Sequence, residues 1–473
     1  MVFSSAAFLF VFLPIVIGLY YLPVFRKNDR KNFRYKNLIL CLSSLLFYAW
    51  GEPVYIFLML ISIVFNYFVG IDIEENVLDE KKKKTALLLG VGFNIFALGF
   101  FKYSGFLVSS LGGLFGAELE YSPLPLPIGI SFYTFQIMSY IIDVYYGTVK
   151  AQRKLLPFMT YISMFPQLIA GPIVQYSDIE EQLQERKVNV EKFAAGVIFF
   201  IRGLGKKVLF ANTIGSVYTE ITSGDIGKAS VVTAWFGIIC YTLQIYFDFS
   251  GYSDMAVGLG KMFGFNFCKN FDLPYIATSI TDFWRRWHIS LSSWFRDYVY
   301  IPLGGNRVTR GRHILNILIV WSLTGLWHGA AWNFVAWGAF YGILLILEKY
   351  LFKKIIEKTP MFLRHVITLV VVMLGWVLFS SNTLTDALTY MGSMFGTAGN
   401  VFFDSTAKYL VSTHIFPVVF MSLSAFGAFS NLPRTKNFKV NVIVLCAGYI
   451  IIFCLCVIYL ISETYNPFLY FRF

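Results

Sequence analysis

Charge is scarce in this chain: only 14% of its 473 residues are Asp, Glu, Lys or Arg, against 57% hydrophobic and 19% aromatic. A soluble globular domain carries about 25% charged residues, so that class is excluded and the chain belongs in lipid. The six cysteines (Cys41, Cys240, Cys268, Cys446, Cys454, Cys456) include no CxxC pair and no neighbouring histidine. They read as small core residues, and neither a metal site nor a disulfide framework is expected. There is no internal repeat and no low-complexity linker, which removes support for a two-halved transporter. Acidic residues are in deficit, 27 against 39 Lys and Arg, for a formal net charge of +12. Such an excess can mark nucleic-acid binding, but here the basic residues fall in short segments between apolar runs and form no single stripe. That is positive-inside patterning, and no nucleic-acid partner is expected.

Apolar runs long enough to cross a core of about 30 Å, which takes roughly 20 helical residues, recur from 6–22 through 440–461. Helices are the economical reading, because an open sheet edge in lipid leaves backbone groups unpaired. The expected fold class is all-α: a polytopic integral membrane protein with about 11–12 transmembrane helices plus re-entrant and amphipathic ones. The first run has no basic segment before it and no small-residue cleavage pattern after it, so it reads as a retained span. Basic residues crowd segments 26–36, 81–84, 150–154, 307–312, 349–364 and 434–439, which places these on the cytoplasmic side and both termini outside. Segment 155–176 is interrupted by Pro157, Pro166 and Pro172 and suits a re-entrant broken helix. Segment 314–347 is apolar but short for two perpendicular spans, which leaves open a buried hairpin around Gly325 to Gly329. One integral domain, residues 1–461, is expected, followed by an extracytoplasmic tail, residues 462–473.

Five histidines differ in position. His313, His365 and His414 sit at loop edges or span ends and read as interfacial, whereas His328 lies inside a long apolar stretch, in the run GLWHGAAW. An ionisable group at that depth is costly and marks a functional candidate. The alternative is a neutral core histidine bonded to a carbonyl; flanking Gly325 and Gly329, which would let a substrate approach, favour catalysis. His288 falls in DFWRRWHISLS, which mixes aromatics, arginines and small polar residues. Two readings stand: an interfacial amphipathic helix, or a cytoplasmic mouth where Arg285, Arg286 and Arg296 bind the phosphates of a nucleotide-tailed thioester. Asp248 and Asp254 at the inner end of a span suggest a hydrogen-bond network more than direct chemistry. Arg202, Lys206 and Lys207 either snorkel or help attract an anionic donor.

These residues sit in segments that resemble the membrane-bound O-acyltransferase family, and within it the bacterial alginate O-acetyltransferase branch. The segments span the chain in order: MVFSSAAFLFVFLPIVIGLYY at its start, PQLIAGPIVQY (166–176), IRGLGKKVLFAN (201–212), YFDFSGYSDMAVG (246–258), FWRRWHISLSSWFRDYVYIPLGG (283–305) and GLWHGAAW (325–332). The resemblance implies a helical ring thinned at its centre, with a cytoplasmic funnel for acetyl-CoA as acyl donor and an outer funnel for a polysaccharide acceptor. It matches His328 to the family's invariant catalytic histidine and His288 to the branch's second histidine. The ending FLYFRF, residues 468–473, resembles the Phe-x-Tyr-x-x-Phe terminus of this branch, which implies Tyr470 as an acyl carrier toward an extracytoplasmic SGNH-type acetyltransferase. Its plain reading is an aromatic anchor at the lipid interface. Two further readings stay open: a D-alanyl-type transferase using a carrier-protein thioester, and a membrane transporter. The expected setting is the bacterial cytoplasmic membrane.

Overall fold

The computed structural model describes residues 1–23, 30–116, 121–169, 171–397, 399–429, 438–462, 466 and 469. Every regular element among them is helical, as an all-α chain in lipid requires. Five of the described helices are long and apolar enough to cross a membrane: Tyr55–Glu75, Glu80–Phe115, Val231–Met262, Met361–Ser380 and Lys439–Ser462. The apolar window of Val231–Met262 is 78% buried by protein and that of Lys439–Ser462 only 6%. The first is therefore enclosed by protein, and the second leaves most of its apolar surface uncovered by protein.

The chain divides into two compact units, residues 1–200 with 252–268, and residues 201–251 with 269–473. In the first unit, Glu80–Phe115 opens at an N-cap, where the Asp79 carboxylate accepts the Lys82 N–H, and closes at left-handed Gly116 (φ +63°). Segment 155–176 does not form one span. It breaks into Leu155–Ser163 and Phe165–Leu168, with Pro166 in the first turn of the second piece, where a missing N–H costs nothing. Phe3, Phe8, Phe12, Phe47 and Phe165 pack together, mostly tilted or edge-on, at ring separations of 5.0 to 6.4 Å. Arg186, 5% exposed, donates to Tyr20 Oη, Asn37 Oδ1 and the carbonyls of Phe263 and Gln182.

The second unit holds the short helices Ile280–Arg286 and Ile289–Phe295 and the longer helices Arg310–His328, Trp332–Tyr350 and Met361–Ser380. Segment 314–347 resolves into two helices joined at residues 329–331. They run antiparallel, since Gly325 faces Gly338 while Trp321 faces both Gly338 and Gly342.

Candidate active site

His328 is the last residue of Arg310–His328, and the glycines around it explain how that helix is held. A Cβ on Gly325 would lie 2.5 Å from the Phe334 carbonyl oxygen and 3.1 Å from Gly338 Cα, and one on Gly338 would lie 2.5 Å from the Trp321 carbonyl oxygen. A Cβ on Gly329 would strike the Phe334 ring. These positions let two backbones touch. The expectation that Gly325 and Gly329 clear room for a substrate is therefore corrected, because Phe334 and Gly338 fill that space. The imidazole, 3% exposed, is framed edge-to-face by Trp327, Trp337 and Phe379 at 4.9, 5.0 and 5.1 Å.

His288 occupies the break between Ile280–Arg286 and Ile289–Phe295 with φ +45° and ψ +55°. A left-handed non-glycine residue costs about 1–3 kcal/mol and persists only where its surroundings over-determine it. Asn270 does this. Its carbonyl accepts the Ile289 N–H at 3.0 Å, and its Oδ1 accepts the Ser290 N–H at 3.2 Å and the Ser290 hydroxyl at 3.0 Å. The same Oδ1 lies 3.2 Å from His288 Nδ1. A backbone N–H can only donate, so the atom it meets is the amide oxygen. Nδ1 therefore carries the proton in the neutral ring, and the lone pair sits on Nε2. Phe249 packs edge-on against this imidazole at 4.7 Å. The preceding helix is fixed at its start by Glu348, whose carboxylate accepts the Ile280 and Thr281 N–H groups at 2.7 and 3.1 Å, neutralising donors that a helix N-terminus leaves open.

Both histidines line one cavity of about 510 Å³, with Trp284, Arg285, Arg296, Tyr300, Trp321 and Thr324 among the other walls. That size and mixture of aromatic and convergent polar groups suit a small organic ligand. Arg285 and Arg296 are exposed. Arg296 pairs with adjacent Asp297 at 2.7 and 3.0 Å, and that carboxylate holds its guanidinium above the ordinary value.

Arg202, Arg286, Lys206 and Lys207, also singled out from the sequence, do not line this cavity. Arg286 is bound to Asp282 Oδ1 (2.9 Å) and to the Asp272 carbonyl (3.2 Å), so it ties the helix to the loop before it. Lys207, 3% exposed, forms a 2.8 Å ion pair with Asp248, and Lys206 Nζ lies 3.5 Å from the Ser250 hydroxyl. Tyr470 lies outside the described residues. Of the histidines read as interfacial, His313 is buried between Tyr300 Oη (2.7 Å) and Tyr350 Oη (2.6 Å). His365 Nδ1 meets the Ala277 carbonyl at 3.1 Å. Among the described residues no three His, Cys, Asp or Glu side chains gather as metal ligands.

Asn270 and Glu348 were not anticipated from the sequence. Each serves a partner 18 or 68 residues away, and neither lies in a local pattern that would single it out.

Residues 149–386, which include both histidines, match the membrane-bound O-acyltransferase family. The chain is 38% identical to a probable alginate O-acetylase AlgI of Azotobacter vinelandii across all of both chains. It is 43% identical to the protein of that name from Pseudomonas aeruginosa, over 84% of this chain and 75% of that one. It is also 35% identical to a peptidoglycan O-acetyltransferase of Helicobacter pylori, over 84% of this chain and 80% of that one. The chain is an acyltransferase and a multi-pass membrane protein, and it belongs to the alginate O-acetylase-like branch of the membrane-bound O-acyltransferase family.

Proposed function

We propose that this chain moves acetyl groups from cytoplasmic acetyl-CoA across the bacterial cytoplasmic membrane toward O-acetylation of an extracytoplasmic polysaccharide. Residues 1–461 serve as the acyltransferase body and 462–473 as an outward-facing tail, with both termini extracytoplasmic. The reading is carried by one observation: His328 and His288 line the same cavity as Arg285 and Arg296. Acetyl-CoA cannot cross a bilayer and a polysaccharide cannot enter the cytoplasm, so the chemistry needs one site that both sides reach. Relatives named for alginate and peptidoglycan acetylation support the polysaccharide acceptor.

In this reading Arg285 and Arg296 hold the donor's phosphates by charge-assisted hydrogen bonds. His328 acts as general base. The attacking hydroxyl oxygen bonds to the thioester carbonyl carbon as its proton passes to the imidazole. The C–S bond then breaks, and the same proton returns to the thiolate as free coenzyme leaves. His288, with its lone pair on Nε2, orients the reacting groups beside it. If Tyr470 supplies the hydroxyl, the acetyl group passes from a thiol of pKa ~8.5 to a phenol of pKa ~10 and stays activated. Full proton transfer from phenol to an imidazole of ordinary pKa ~6.5 is uphill by about 5 kcal/mol, so proton movement and C–O bond formation occur together. The tyrosyl ester is then handed to a serine of an SGNH-type partner.

Incubating the detergent-purified protein with labelled acetyl-CoA tests this. His328→Ala abolishes transfer, and label is recovered on the tail and lost in Tyr470→Phe. Transfer surviving in His328→Ala removes its assigned role, and label undiminished in Tyr470→Phe removes the tail as carrier.

A further inference from the structure

A second polar cluster lies deep in the same unit, and the transfer chemistry makes no use of it. Lys207 and Asp248 are 3% and 2% exposed and sit 2.8 Å apart. Removing an ion pair from water is expensive, and it persists only where further hydrogen bonds fill the remaining positions on both charges. The local backbone explains the meeting. Residues Lys206–Ala211 form a π-helical turn, closed by the Asn212 N–H on the Lys207 carbonyl. The wider turn brings positions five apart to one side, so Lys207 Nζ also donates to Asn212 Oδ1 at 2.8 Å. Gly251 lets the facing helix come close enough for Asp248 to reach in, since a Cβ there would lie 2.8 Å from the Gly203 carbonyl oxygen.

Two residues from the C-terminal segment, Asn466 and Leu469, also bond to this cluster. Asp248 Oδ2 accepts the main-chain N–H of Leu469 at 2.9 Å, across 221 residues of sequence, and Asn212 Nδ2 donates to Asn466 Oδ1 at 3.2 Å, across 254. The Leu469 side chain is itself buried. The two halves of the cluster are linked, because Lys207 orients both the carboxylate and the Asn212 amide that meet the tail. A carboxylate that grips a main-chain N–H reads position along the chain and not side-chain identity.

We propose that the buried Lys207–Asp248 pair is a socket that seats the C-terminal tail through the Leu469 N–H, with Asn212 reading Asn466 beside it. These are positioning residues. They fix Leu469, the residue that precedes Tyr470 in the sequence. The seating stands on the hydrogen bonds alone; only its use in acyl transfer rests on Tyr470 as the carrier.

Leu469→Pro deletes the donor without touching the buried pair, and Leu469→Ala keeps it. A Lys207→Met/Asp248→Leu double variant removes the acceptor while preserving buried volume, a replacement that folded proteins tolerate. Amide hydrogen exchange of the C-terminal peptide is read on the full-length detergent-purified protein. Loss of a hydrogen bond to a charged group raises exchange of the tail's remaining amides by roughly tenfold to hundredfold, in Leu469→Pro and in the double variant, and by less in Leu469→Ala. Tail exchange equal to wild type in Leu469→Pro overturns the socket, whatever the acetyl transfer. Faster tail exchange with undiminished transfer upholds the socket and overturns its use in acyl transfer.

Discussion

Asn270→Ala is the substitution that most directly tests how His288 is held. The amide oxygen it removes meets three groups: the His288 Nδ1–H, the Ser290 N–H and the Ser290 hydroxyl. The hydroxyl can rotate to another acceptor, but the other two donors are fixed by ring and backbone. An orphaned buried donor costs about 1–3 kcal/mol, so two of them cost about 2–6 kcal/mol. The cost is borne where His288 already holds a left-handed backbone at φ +45°. Relaxing that strain swings the imidazole out of place, and a misplacement of about 1 Å in a reacting group lowers turnover about a hundredfold. Two assays on protein in detergent separate the effects. Thermal unfolding reports the lost stability, and acetyl-CoA turnover reports the displaced ring. Asn270→Asp retains acceptors at the same distance and keeps most of the stability. Wild-type turnover and wild-type unfolding temperature in Asn270→Ala would refute the claim that this amide holds the histidine.

Gly325→Ala forces a methyl to 2.5 Å from the Phe334 carbonyl oxygen, which costs about 1–3 kcal/mol of overpacking and lowers the unfolding temperature; a stable, fully active variant contradicts the close seam between these helices. Arg285→Ala and Arg286→Ala part company: removing the charge at the cavity raises KM for acetyl-CoA roughly tenfold, an effect that shrinks with added salt. Removing Arg286 releases Asp282 and the Asp272 carbonyl and lowers stability instead, so equal KM effects in the two variants would show that their division is wrong.

The sequence was informative where a residue is costly in its own right. An imidazole in an apolar run, a second one in a run of arginines and aromatics, and a helix interrupted by three prolines all announce themselves locally. His328, His288, Arg285 and Arg296 do meet in one cavity. What stayed hidden is anything whose role depends on a distant partner. Asn270 is an ordinary polar residue until His288 is brought against it, and Glu348 looks like the charged end of a span until two open N–H groups face it. Lys207 carries the right charge for an anionic donor, but nothing in its neighbourhood shows that Asp248 already claims that charge, whereas Arg286 follows Asp282 at the i,i+4 spacing that pairs them. The glycines around His328 were read as open space, because a sequence cannot distinguish a gap left for a ligand from one filled by a neighbouring helix.

The two histidines are held in opposite ways. A continuous helix satisfies its interior backbone groups by itself and presents its side chains along its own length, as Arg310–His328 presents His328 at its end. His328 is accordingly positioned by shape, by three aromatic rings and a glycine seam. His288 is set against the same cavity by a break in the chain, and a break leaves backbone donors without helical partners. The N–H groups of Ile280 and Thr281 go to Glu348, that of Ile289 to the Asn270 carbonyl, and that of Ser290 to the Asn270 side chain. Each repair comes from outside the broken helices, and together they permit the left-handed turn at His288 that a continuous helix forbids. Substitutions around His328 should therefore be graded by volume, and those around His288 should fail sharply with the loss of a single acceptor.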